Sequence, residues 1–334
     1  MLDSHLAKSL GLLFGVMVTW SAFLTSTLSG TSDIAWHALW STLHHYDPGN
    51  VAHIILITER LPRAIIAALV GASLAIAGAL MQTITRNPLA SPSILGINAG
   101  AMFFVVVAVS LLPLSAPAHY VWAALFGASV AALLVILLSR GRRGELSPLR
   151  VVLAGVAVTA MFVAFSQGLL VIDQQSFESV LYWLAGSVSG RELALVVPLL
   201  PLFGAALLLC TLLVRHANAL LLGDDMATGL GLQATTIKLL LGLVVIVLAG
   251  SSVALSGMIG FVGLIVPHMA RSLFGIDHRW LLPACALLGA SLLLLADVAS
   301  RFLIAPQEIP VGVMTALLGT PFFIYLARRN MAAQ

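Results

Sequence analysis

The chain has 334 residues, of which 60% are hydrophobic and only 9% charged, with a formal net charge of +3. Soluble domains carry about 25% charged residues, so a water-exposed globule is excluded and a bilayer is the solvent this composition fits. The basic residues fall between apolar runs, the pattern that encodes membrane topology, and this removes the nucleic-acid reading that a positive charge would otherwise invite.

A spanning helix needs about 20 mostly apolar residues, because the hydrocarbon core is roughly 30 Å thick and a helix rises about 1.5 Å per residue. Ten such helices are predicted, at about 9–28, 62–83, 93–112, 118–139, 149–171, 193–214, 236–255, 258–274, 280–302 and 310–327. The run from Ser9 could open a signal peptide, but no clear small-residue cleavage site precedes a soluble body, and it reads as a retained first span. An even count puts both termini on one side. With the termini cytoplasmic, Lys8, Arg86, Arg140, Arg142, Arg143, Arg150, Arg215, Lys238, Arg271, Arg279, Arg328 and Arg329 lie inside. Only Arg60, Arg63, Arg191 and Arg301 lie outside, in agreement with the positive-inside rule.

Between the first two spans, Trp36, Leu39, Trp40 and Leu43 recur at helical spacing and predict an amphipathic interfacial helix. Neighbouring His44 and His45 point about 100° apart on a helix and lack an obvious third ligand, so a metal site is not expected there. Gly71-Ala72-Ser73, Gly127-Ala128-Ser129 and Gly289-Ala290-Ser291 lie in three different spans, and small residues of this kind let helix backbones approach closely in lipid. Cys210 and Cys285, each within an apolar run, read as small buried hydrophobes. In the ninth span Asp297 has Arg301 four residues later on the same helical face, an intramembrane ion pair.

Several chemistries are absent. There is no Gly-Lys dipeptide, hence no phosphate-binding loop, and neither the paired-histidine zinc motif nor the Gly-x-Ser-x-Gly elbow occurs. No chain of buried carboxylates marks a proton path. An enzyme is not expected.

Two blocks are more specific than generic membrane sequence. One runs from Glu59-Arg60-Leu61-Pro62-Arg63 through Gly71, Gly78 and Gln82 to Arg86-Asn87-Pro88-Leu89-Ala90-Ser91-Pro92 and Leu95-Gly96-Ile97. The other runs from Gly260-Phe261-Val262-Gly263-Leu264-Ile265-Val266-Pro267-His268 through Asp277, Asp297 and Arg301 to Glu308-Ile309-Pro310-Val311-Gly312 and Pro321-Phe322-Phe323. Over about residues 59–327 the chain resembles permeases of the FecCD (BtuC-like) family, which import ferric siderophores, haem or cobalamin. The resemblance implies an all-α polytopic membrane protein of about ten helices, forming one permease domain over 1–334 in a bacterial cytoplasmic membrane. Its implied partners are an ABC ATPase dimer, a second permease that is identical or homologous, and an extracytoplasmic binding protein delivering a ferric siderophore. No cofactor is implied on this chain itself, since ATP and Mg²⁺ belong to the ATPase.

The resemblance also assigns roles. Outward arginines at the positions of Arg60, Arg63 and Arg301 meet acids on the binding protein in similar permeases, a task suited to the planar guanidinium fork. The inner loop 215–233 looks like the coupling segment seated in the ATPase, with Leu222, Gly223, Asp224, Asp225, Ala227, Leu230 and Gly231 as its candidate residues. Its glycine-broken apolar turns predict two small helices across the membrane surface. Between spans two and three, Ser91-Pro92 predicts an N-cap followed by proline at the first helical position. The alternatives are an ion-coupled secondary transporter, the same importer type carrying haem or cobalamin, and a purely structural membrane subunit.

Overall fold

The computed structural model describes residues 2, 4–30, 34, 36–111, 116–141, 147–172, 183–229, 231–304 and 307–331, with backbone alone at 43, 325–327 and 329–331. Among these residues the architecture is helical. Seven helices are long and apolar enough to cross a membrane: His5–Leu28, Val51–Thr85, Pro117–Ser139, Pro148–Ile172, Leu193–Leu220, Ala234–Ser256 and His278–Phe302. Shorter apolar helices, Ile97–Leu111, Val262–Phe274 and Val311–Ile324, occupy the other three expected segments.

The Leu61–Thr85 helix is the centre of the bundle, packed against Ala234–Ser256, Val262–Phe274 and His278–Phe302. Its glycines account for how closely. A methyl group on Gly71 would collide with the backbone carbonyl of Gly289, and one on Gly78 with that of Gly263. The repeated Gly-Ala-Ser triplets are therefore contact surfaces where two backbones meet without intervening side chains. Gly127 meets Gly100 in the same manner.

Several boundaries differ from the sequence expectation. The second helix starts at Val51 and not near residue 62, passing through a π turn at Leu56–Arg60 before Pro62 takes the second position of Leu61–Thr85. After Ser91-Pro92 comes only a single 3-10 turn, Pro92–Leu95, ended by left-handed Gly96, and the long helix begins at Ile97. The eighth segment starts at Val262 because Phe261 adopts a left-handed conformation, φ 65°. Finally, among the described residues of the 215–233 region there is one small helix and not two. Arg215 to Leu220 continue the Leu200–Leu220 helix, since no helix breaker intervenes before Gly223, and only Asp224–Gly229 is separate.

The expected amphipathic segment is the helix Trp36–His44, with Leu39 buried and Trp36 and Trp40 exposed. Its histidines form no metal cluster, and no group of three or more potential ligands occurs among the described residues. Cys210 and Cys285 are buried free thiols.

Candidate functional site at the two ends of the bundle

Polar side chains gather at opposite ends of the central helix. At one end lie Arg60, Arg63, Arg191 and Arg301, the four basic residues assigned to a common side from sequence. Asp297 is fully buried and pairs with two of them. Arg63 donates to Oδ1 through Nη2 and Nε, each at 2.9 Å, and to Oδ2 through Nε at 3.1 Å, and Arg301 Nη2 also donates to Oδ2. Arg63 also donates to Glu308 at 2.8 Å and to Ser189 at 3.2 Å. A buried carboxylate flanked by two guanidinium groups is electrostatically matched, whereas any one of the three alone would be an uncompensated charge.

Arg301 and Arg60 have a second task. Arg301 Nη1 donates to the carbonyls of Ser26 (2.8 Å) and Ser29 (2.7 Å), and Arg60 Nη1 donates to that of Leu28 (2.5 Å). These carbonyls belong to the last turn of His5–Leu28, where acceptors have no intrahelical partner and the helix dipole favours positive charge. Accordingly Arg60 and Arg301 are only 6% and 3% exposed. The pair Asp297–Arg301 expected from its four-residue spacing is present at the contact level, and the structure adds Arg63, Glu308 and the end of the first helix. These partners are distant in sequence, and backbone acceptors leave no mark in the residue pattern.

At the opposite end, Asp224 is a bridge. One carboxylate oxygen accepts from Arg86 and the other from Lys238, each at 2.6 Å. Arg86 caps the central helix in a left-handed conformation, and Lys238 lies in the first turns of Ala234–Ser256. The short helix Asp224–Gly229 is thereby tied to two long helices, while buried Ala227 seats it on the bundle. Gly223 (φ 118°) and Gly231 (φ 79°) bracket it in backbone conformations that a side chain disfavours. Leu222 and Met226 are exposed, 60% and 63%, and Asp225 is also on the surface. Leu230, expected in this segment, lies outside the described residues, as do Arg142 and Arg143 of the basic inner loop.

A second polar group braces the same end. Asn218 donates to Asp277 at 2.6 Å and accepts from the His278 backbone N–H at 2.9 Å, and the His278 ring meets Thr83 at 2.8 Å. Gln82 contacts Arg271 and donates to the Leu264 carbonyl at 3.3 Å. Partial burial would raise the Asp277 carboxyl. Hydrogen bonds from the Arg279 backbone and the Asn218 amide, with the charges of Arg279 and His278, outweigh it and hold the carboxyl below the usual range.

Residues 17–329 match the model of the FecCD transport family. A probable siderophore transport system permease of Bacillus subtilis is 45% identical over 316 residues, 94% of each chain. The iron(3+)-hydroxamate import permease FhuB of the same species is 43% identical, covering 92% of this chain and 80% of its own. The ferric enterobactin permease FepD of Escherichia coli is 43% identical over 83% of this chain and 82% of its own. Among solved structures, a metal-chelate type ABC transporter in an inward-facing conformation superposes with a TM-score of 0.81 at 30% identity, covering 95% of this chain and 98% of that one. With this agreement in sequence over nearly its whole length and in fold, the chain belongs to the FecCD transport family.

Proposed function

We propose that the chain is the permease subunit of an ATP-driven importer for a ferric siderophore. It is a transport component, not an enzyme, and ATP and Mg²⁺ act on a partner ATPase. The ten apolar helices cross the bacterial cytoplasmic membrane with both termini inside, so that the Asp224 end faces the cytoplasm and the arginine end faces outward. A second permease, identical or homologous, completes the pathway.

The observation that carries this reading is the Asp224–Gly229 helix. It is too short to be stable alone, yet it is pinned to two long helices by charge pairs and presents Asp225 and Met226 outward, beside exposed Leu222 of the preceding turn. That is the construction a coupling element needs: a surface for the ATPase and a firm grip on the helices it must move. At the outer end, an acidic face of the binding protein docks on the arginine cluster. Arg63, whose side chain is 11% exposed, is the most accessible of the three expected arginines, and Arg60 and Arg301 set the shape of the surface around it.

Purification from native membranes in mild detergent, with every co-purifying protein identified, tests the reading. A nucleotide-binding ATPase in defined stoichiometry is the expected result. A monodisperse preparation lacking one would overturn it and favour the ion-coupled transporter.

A further inference from the structure

Of the four arginines at the outer end, Arg191 takes no part in the Asp297 cluster or in capping the first helix. It has no ion pair or hydrogen bond among the described residues, and burial lowers its pKa from the usual guanidinium value with nothing to offset it. Arg191 lines a cavity of about 490 Å³ together with Ser187, Ser189, Tyr120, Trp183 and Glu308. That volume lies within the usual range for small-molecule sites, roughly 300–1,000 Å³. Glu308 is not available to neutralise Arg191, because it is held by Arg63 and by Ser189 (3.3 Å). Glu192, next in the chain, is exposed and does not line the cavity.

The cavity wall is fixed. Ser187 N–H donates to the Ser256 carbonyl at 2.8 Å, Gly312 N–H to the Gly186 carbonyl at 3.0 Å, and Ser189 N–H to the Ser187 hydroxyl at 3.1 Å. The segment 186–189 that leads into Arg191 is therefore tied to two others, and Tyr120 and Trp183 add aromatic rings to the cavity lining. A guanidinium offers paired donors to an oxygen anion, the Ser187 hydroxyl adds a donor, and rings add apolar contact to a ligand's planar groups.

We propose that this cavity is a low-affinity receiving site for an anionic iron(III) chelate, with Arg191 binding a ligand carboxylate or catecholate oxygen. The site rests on the importer reading for its substrate class, but its test needs neither the ATPase nor transport, so the two fail separately. Full-length permease in lipid nanodiscs is titrated with ⁵⁵Fe-labelled iron(III) dicitrate, an anion, and with a charge-neutral iron(III) trihydroxamate. Wild type is expected to bind the anionic chelate saturably, Arg191→Gln at least tenfold more weakly, and Arg191→Lys to recover part of the loss. Binding of the neutral chelate should change less than twofold. Matching thermal unfolding of the variants and wild type separates ligand contact from folding, and Ser187→Ala serves as a milder second variant with an expected twofold to fivefold loss. The proposal is overturned if wild type shows no saturable binding of iron(III) dicitrate, if Arg191→Gln binds it as wild type does, or if both chelates lose equally. Loss of binding-protein capture alone, with dicitrate binding intact, would make Arg191 a docking residue and overturn it as well.

Discussion

The two ends of the molecule use charge in opposite ways. At the arginine end, Asp297 and Arg301 are 0% and 3% exposed and hold each other, Arg63 and the end of the first helix in one dry cluster. At the Asp224 end, the arm of the bridge to Arg86 leaves both side chains about 40% exposed, and only the Lys238 arm is buried, at 5%. In a low dielectric, breaking such a cluster strands charge; near water, the same pairs exchange readily with solvent. One end is thus locked and the other adjustable, as a transporter needs if a partner on the adjustable side is to drive its motion.

The strongest way to break the contrast is Asp297→Ala, which leaves Arg63 and Arg301 facing each other without their common carboxylate. A loss of about 3–5 kcal/mol is expected, read as a large drop in the thermal unfolding midpoint in detergent. Gly78→Ala comes next: its methyl must displace the Gly263 backbone, at about 1–3 kcal/mol, and the same assay should show an intermediate drop. Asp224→Asn loses an exposed pair with Arg86, which contributes little, and leaves the Lys238 ammonium, 5% exposed, without its counter-charge, so about 1–3 kcal/mol of stability is expected to go with it. Coupling falls as well, with substrate-stimulated ATP hydrolysis in the reconstituted complex reduced severalfold while the ATPase still co-purifies. Wild-type stimulation in this variant would dissolve the difference between the two ends.

The smallest expected effect is one of pH. Asp277 is held below the ordinary carboxylate pKa of about 3.9. The stabilisation this represents is complete above that ordinary value and is lost as pH falls through the lowered folded value. Unfolding midpoints of wild type and Asp277→Asn, compared from pH 6 to 3, should differ most at the upper end and converge at the lower. A gap that widens towards acid would contradict the assignment.

How much of this was legible in the residues follows from the range of each signal. Apolar runs locate the helices because the bilayer condition acts on every residue of a span, and four-residue spacing reveals Asp297 with Arg301. The Asp297 partner Arg63 lies 234 positions away, and the carbonyls that Arg60 and Arg301 cap have no side-chain signature. The resemblance marks 215–233 as the candidate coupling segment, but glycine spacing predicts two small helices there because it marks turns without showing that the preceding helix runs on to Leu220. The left-handed Phe261 was likewise invisible: it is an unfavourable conformation for an aromatic residue, held where its ring packs against Gly319.

The central helix has one more consequence. Arg63 and Arg86 stand 23 residues apart along a nearly uninterrupted rod, a separation of roughly 35 Å at 1.5 Å per residue. Backbone-to-backbone seats at Gly71 and Gly78 grip that rod between its ends without side chains that interlock. Such a seat resists bending, and it resists rotation too, because any turn that moves a glycine out of its seat drives a neighbouring Cβ into the facing carbonyl. The helix is therefore a strut, holding the Asp224 bridge and the cluster around Asp297 at a set separation and in a set register.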